Sequence, residues 1–232
     1  MRPVPAKHWP AFPDRFEFER RLLHEGITSI AGVDEAGRGP LAGPVVAAGV
    51  RLPVDWVEGG LPLELAGLND SKQLSAAQRE RFFVFLTGHA GVHFALAQAD
   101  VPEIDAANIL QATHHAMNEA LAGLRPPPQH ALVDGRPVNS LAVAQTALIQ
   151  GDARSYSIAA ASVLAKVTRD RLMADYDRQY PAYGFAVHKG YGTPAHLAAL
   201  ARHGPCPIHR RSFAPLKLQQ LSLFSDGLVG TH

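Results

Sequence analysis

Four acidic residues stand where extended runs of this chain come to an end. Asp34 and Glu35 are adjacent at the close of residues 28–34 (TSIAGVD), Asp134 ends Ala-Leu-Val-Asp, and Asp152 follows a run that stops at Gln150. An unpaired carboxylate in buried surroundings is costly, so acids in such places require a cation or strong hydrogen bonds. Ligands of open α/β sheets gather beyond the carboxyl ends of the strands, which lets three such ends converge on one site. Oxygen donors without a Cys or His partner suit Mg²⁺ or Mn²⁺ rather than zinc. Two such ions roughly 4 Å apart can grip one phosphate, activating water on one side and stabilising the leaving oxygen on the other. On spacing alone a plainer reading stays open, because Asp after a strand is also an ordinary turn former or helix N-cap.

The loop after the first acids reads Gly37-Arg38-Gly39-Pro40-Leu41-Ala42-Gly43-Pro44. Gly37, Gly39 and Ala42 fit the loose dinucleotide-binding fingerprint. The chain then continues Val-Val-Ala-Ala-Gly-Val, a strand, so no helix N-terminus is offered to a pyrophosphate. Two carboxylates beside the loop would repel a phosphate unless cations stood between them, which again points to metal. Elsewhere, His89 and His93 are four apart, but Gly88 and Gly91 make that stretch a helix end and a turn. His203, Cys206 and His209 form H-x₂-C-x₂-H, which lacks a fourth ligand and is threaded with Pro205 and Pro207, so no structural zinc is expected there.

The elements that must carry the acids follow from pattern. Residues 12–26 read as an amphipathic helix, and 28–34 and 45–51 as strands joined by a Gly/Pro turn. Residues 75–89 form a helix opened by a Ser75/Gln78 capping box. A third strand spans 92–99, and 102–124 reads as one helix with Pro102 in its first turn. After Pro126-Pro127-Pro128 come strands at 131–134 and 143–150. A long helix over 155–180 is stopped by Pro181, and a shorter one covers 194–203. Early hairpins followed by strand–helix alternation predict an α/β fold with a mixed sheet.

Length and composition are those of one well-cored domain with tails: 232 residues, 47% hydrophobic and 19% charged. No apolar run approaches the ~18 residues of a membrane span, and the proline-rich start lacks the apolar core of a signal peptide. One cysteine suits a reducing compartment, so a cytoplasmic protein without membrane attachment is expected. The net charge of +1 conceals an asymmetry: residues 1–149 carry −4 and residues 150–232 carry +5. The basic excess gathers at Lys166, Arg169, Arg171, Lys189, His209, Arg210, Arg211 and Lys217. It is either the footprint of a phosphate backbone or a set of solvated helix faces.

Residues 32–46 (GVDEAGRGPLAGPVV) resemble the signature of bacterial ribonuclease HII. The likeness continues in order through 67–74 (GLNDSKQL), 107–110 (ANIL), Val133-Asp134-Gly135, Gly151-Asp152, 159–170 (AAASVLAKVTRD), Tyr183-Gly184-Phe185, 188–191 (HKGY) and 209–213 (HRRSF). It covers residues 28–216, which sets off 1–27 as an N-terminal extension and 217–232 as a C-terminal tail. The resemblance implies a ribonuclease H-like fold, a mixed five-stranded sheet flanked by helices with a helical C-terminal part. It implies Asp34, Glu35, Asp134 and Asp152 as catalytic metal ligands, holding two Mg²⁺ or Mn²⁺ ions. Gly37, Arg38 and Gly39 would present backbone to the minor groove and sense 2′-hydroxyls, since glycine lets a backbone approach closely and the 2′-OH separates RNA from DNA. Tyr191 would stack at the RNA–DNA junction, and Lys72, Ser162, Lys166 and Arg38 would contact phosphate.

The implied activity is endonucleolytic hydrolysis of the RNA strand of RNA–DNA hybrids, and cutting 5′ to single ribonucleotides embedded in duplex DNA, by a monomer. The alternatives are a nuclease of the same fold that acts on DNA, and a hybrid-binding module without catalysis. The presence of all four acids argues against the latter. One departure is Gln150, where the family often carries Lys before Gly-Asp. In the tail, Gln220, Leu221, Ser222, Leu223 and Phe224 resemble the short motif that docks bacterial repair proteins on the sliding clamp. The competing reading is a closing helix with Leu218, Leu221 and Phe224 on one face.

Overall fold

The structure, a computed structural model, describes residues 14–217. Its sheet is built from β1 (Ile30–Ala36), β2 (Val45–Arg51), β3 (His93–Ala99), β4 (His130–Asp134) and β5 (Ala144–Leu148), in the order β3-β2-β1-β4-β5. β2 is antiparallel to both β1 and β3, whereas β1, β4 and β5 run parallel. The expected mixed five-stranded sheet is therefore present. The helices are α1 (Glu17–His24), α2 (Val54–Gly59), α3 (Ala76–Gly88), α4 (Val101–Ala107), α5 (Ile109–Gly123), α6 (Gly151–Arg154), α7 (Tyr156–Gln179), α8 (Phe185–His188) and α9 (Pro194–His203).

Strand alternation divides the core. Ala31, Val33, Val45 and Ala47 face α5 and pack with Ala112, Ala116, Ala120 and Leu121. Ala48 and Val50 face α7 and pack with Ala160, Val163, Leu164, Phe82 and Leu86. A glycine sits at the closest approach on each side. A Cβ at Gly32 would stand 2.2 Å from the Ser157 carbonyl carbon, and one at Gly49 would stand 3.2 Å from Ala120 O. Small residues thus let α7 lie directly on β1, the strand that carries Asp34. Phe16 and Leu22, ahead of residue 28, are buried in this same body.

The Ser75/Gln78 capping box is formed with both of its hydrogen bonds. The single helix expected over 102–124 is instead two. Asn108 adopts φ 74°, and its side-chain oxygen accepts from Leu110 N and Gln111 N to start α5 afresh. A side chain that can satisfy first-turn amides and tolerate left-handed backbone overrode the apolar periodicity. The N-terminal helix begins at Glu17; residues 12 and 13 of the expected span lie outside the described residues. Among the described residues, no helix is long and apolar enough to cross a membrane.

Candidate active site

β1 and β4 run parallel, so their carboxyl ends emerge side by side and bring Asp34 next to Asp134. The one-turn helix α6 completes the group with Asp152. Carboxylate oxygens of Asp34, Asp134 and Asp152 all lie within 4.8 Å of one another. Main-chain amides fix two of them: Glu35 N–H donates to Asp34 Oδ1 (2.7 Å) and Gly151 N–H to Asp134 Oδ1 (2.7 Å). Gly151 suits its place, since a Cβ there would stand 2.7 Å from Ile158 Cδ1 and 3.2 Å from Asp134 Oδ1.

The electrostatics are those of crowded negative charge. Burial, joined by the neighbouring Glu35 and Asp134, pushes Asp34 well above the usual carboxylate range despite the Ser162 hydroxyl. Burial, then Asp134 and Asp70, raises Asp152 to about 7. Glu35 is raised by burial against the pull of Arg38, whose Nη1 lies 3.4 Å from Glu35 Oε1. Burial draws Lys72 down, but Asp70, Asp34, Asp152 and Asp134 together hold it above its ordinary value. An all-oxygen donor set whose carboxylates are pushed upward by one another lacks positive charge, and a hard divalent cation fits that need.

A cleft of ≈ 540 Å³ opens beside the acids, and Gly37, Arg38, Gly39, Lys72, Ser162, Lys166 and Tyr191 all line it. All seven residues expected from sequence to touch nucleic acid thus share one concavity. A second hollow of ≈ 700 Å³ lies across Glu35 and Arg38, and Asp134, His114 and Arg136 line it. Tyr191 is 44% exposed, and a Cβ at Gly39 would touch its ring at 3.6 Å. Within the cleft Ser162 Oγ donates to Ser71 Oγ (2.9 Å), and Lys166 Nζ donates to Asp170 Oδ1 (2.6 Å).

The basic excess needs correction at Arg169, Arg210 and His209, all three of them buried. Arg169 and Arg210 are not solvated charges; they are buried, at 1% and 0% exposure. Their guanidiniums donate to loop carbonyls. Arg169 reaches Pro44 O (2.9 Å), Ala42 O (3.0 Å) and Lys189 O (3.0 Å); Arg210 reaches Gly43 O (2.9 Å), Arg38 O (2.9 Å) and Gly37 O (2.5 Å). The fork of Arg210 therefore holds the Gly37 and Arg38 carbonyls from behind, while that of Arg169 holds the end of the same loop at Ala42 and Pro44. Gly37 (φ 102°) is pressed so close that a Cβ would stand 2.0 Å from Arg169 Nε.

Two of the H-x₂-C-x₂-H residues, Cys206 and His209, serve this scaffold together with His196. His196 Nδ1 lies 2.9 Å from Tyr191 O, so its N–H donates there, and its Nε2 accepts from His209 Nε2–H at 3.0 Å. His209 Nδ1 in turn accepts from Cys206 N–H (2.9 Å). Burial lowers both imidazoles, His209 to about 4, so the chain is neutral near pH 7. It links the backbone of Tyr191 to the residue next to Arg210. The acids and glycines were visible in the sequence as motifs; Arg169, Arg210, Asp70 and the histidine chain were not given these roles. The signal available was a glycine loop whose carbonyls needed donors, followed far downstream by arginines in apolar surroundings.

A five-stranded mixed sheet with flanking helices and acids at adjoining strand ends defines a ribonuclease H fold, and the site is that of a metal-dependent ribonuclease H. The family model for ribonuclease HII matches residues 31–216. Ribonuclease HII 1 of Methylibium petroleiphilum is 55% identical over 84% of this chain and 93% of its own length. Ribonuclease HII of Syntrophotalea carbinolica is 54% identical, over 84% and 90%. The crystal structure of ribonuclease H2 from Pyrococcus horikoshii superposes with a TM-score of 0.70 at 28% identity, covering 85% of this chain and 99% of that one. The chain belongs to the ribonuclease HII family, whose activity is ribonuclease H action on RNA–DNA hybrids with divalent metal.

Proposed function

We propose that this enzyme cuts the phosphodiester 5′ to a ribonucleotide, including one ribonucleotide embedded in duplex DNA, and leaves 5′-phosphate and 3′-hydroxyl ends. The observation that carries this reading is the convergence of Asp34, Asp134 and Asp152 beside a cleft that also holds the Gly37–Gly39 backbone and Tyr191. Asp34, Asp134 and Asp152, with Glu35 at the edge, would hold two Mg²⁺ or Mn²⁺ ions. Such ions supply a lowered pKa for attacking water and charge to stabilise the leaving oxygen. The chain's own residues do the selecting. The 37–39 backbone, clamped through the Gly37 and Arg38 carbonyls, offers the minor groove a rigid edge that reads the 2′-hydroxyl. Tyr191 offers a stacking face at the junction, and Arg38 and Lys72 draw phosphate toward the acids. This activity puts the enzyme in the removal of ribonucleotides from DNA, in the cytoplasm.

The deciding test is a labelled duplex with one ribonucleotide, incubated with Mg²⁺, with Mn²⁺ and with EDTA. One cut 5′ to the ribonucleotide in either metal, and none in EDTA, is the expected outcome. Equal cutting of an all-DNA duplex would favour a DNA nuclease instead.

We also propose that residues 220–224 dock on a sliding clamp; they lie outside the described residues. Support comes from the ribonuclease HII of Archaeoglobus fulgidus, solved as a complex with PCNA, which superposes with a TM-score of 0.63 at 25% identity over 78% of this chain and 93% of that one.

A further inference from the structure

We propose that Arg15 and Glu19, which precede the residues matched by the family model, are positioning residues for the acidic site. They fix the backbone at Asp152 and just after it, and tie to it the loop that bears Lys72. The inference rests on the metal-site reading above.

Arg15 Nη1 donates to Leu68 O (2.5 Å) and Nη2 to Asp152 O (2.6 Å), so one planar fork joins two backbone segments. The fork is not a loose surface group. It lies 4.4 Å from the centroid of the Tyr156 ring, and Tyr156 N–H donates back to Arg15 O (3.1 Å). Phe16 packs on that same ring at 4.9 Å and is 1% exposed. One turn further on, the buried Glu19 accepts from Ser155 Oγ (2.6 Å) and Ser157 N–H (3.2 Å). Ser155 in turn caps α7 by accepting from Ile158 N–H (3.2 Å).

These contacts matter because of what carries Asp152. α6 is four residues long, and a helix of one turn has no stability of its own. Its position is imposed from outside: by Arg15 on the Asp152 carbonyl, by Glu19 on Ser155 at its end, and by the Gly151 amide on Asp134. Leu68, the other carbonyl held by Arg15, directly precedes Asn69, Asp70, Ser71 and Lys72. Asp70 and Lys72 are among the charges that Asp152 senses. A single guanidinium therefore sets the distance between an acid and its charged neighbours. Three mutually repelling carboxylates keep metal-binding geometry only if their supports are stiff.

The test uses the full chain with Arg15→Met, which keeps the apolar stem and removes the fork, and Arg15→Lys, whose point charge cannot bridge two carbonyls as a fork does. Mn²⁺ affinity is measured by electron paramagnetic resonance without nucleic acid, alongside melting in EDTA. Loss of an orienting partner typically weakens metal binding about 10–100-fold, and that loss is expected for Arg15→Met, with a smaller one for Arg15→Lys. The half-saturating Mn²⁺ for cleavage should rise by the same factor while kcat at saturating metal is largely recovered. Wild-type affinity in the folded fraction of either variant, with only the melting temperature lowered, overturns the inference; if Arg15→Met fails to fold, Arg15→Lys alone decides. A wild-type chain that binds Mn²⁺ but cuts no ribonucleotide would sink the proposed cleavage and spare this role. No Mn²⁺ binding by the wild type overturns both.

Discussion

Asp34 is buried beside two other carboxylates, and its chemistry and its energetic cost share one cause. Asp34→Asn removes a charge and almost no volume, so cleavage should vanish while the fold and hybrid binding persist; full activity would remove Asp34 from the site. The same change should stabilise the metal-free protein. A carboxyl raised in the folded state holds its proton after the unfolded chain has released its own. For Asp152 the unfolded release falls near 3.8 and the folded release at about 7. Stability from this group is whole below pH 3.8 and is lost as pH rises toward 7. In EDTA, the melting temperature of Asp152→Asn should therefore exceed that of the wild type by a margin that grows across this window, and Mn²⁺ should reverse the order. At the edge of the cleft, Tyr191→Ala should leave melting nearly unchanged and cost about 1–3 kcal/mol in cleavage of a lone ribonucleotide, the worth of one stacking face. If the variant instead unfolds and its folded fraction cuts normally, Tyr191 is a packing residue.

Among the elements, the β1–β2 connection has the least freedom, because glycine at 37 is demanded both by φ 102° and by the guanidinium behind it. Gly37→Ala should displace the loop and lower cleavage about 100-fold, the scale of a 1 Å misplacement, while Mn²⁺ affinity stays near that of the wild type. Joint loss of both would mean that the loop and the acids are not separable. Much of this architecture is legible in the sequence. β2 and α9 keep their expected spans because an unbroken apolar run in one case, and Thr193-Pro194 with Gly204 in the other, are local signals. The break at Asn108 was hidden because α4 and α5 continue a single apolar face and the decisive contact is a side chain capping its own backbone. α2, α6 and α8 are too short to show a period, and tertiary contacts hold them. Arg169 and Arg210 are legible as charges but not as clamps, since the loop carbonyls they hold lie more than a hundred residues away.

For the molecule as a whole, the described body accounts for hybrid cleavage, and the tail adds a proposal about recruitment. A peptide of residues 217–227 should bind a purified bacterial clamp modestly, because a segment that orders on binding gives up entropy. Truncation after Leu216 should spare melting and cleavage of a short duplex. A peptide that ignores the clamp, together with a truncation that lowers the melting temperature, would make the tail a structural helix.

The reach of Arg210 back to Gly37, across 173 positions of sequence, also sets an order of events on the ribosome. The glycine turn and its first two acids leave the exit tunnel early, and Asp134 and Asp152 come after them. The donor that holds the turn comes after all four. A chain that stops short of residue 210 would therefore carry all four acids and lack the guanidinium that holds the Gly37 and Arg38 carbonyls.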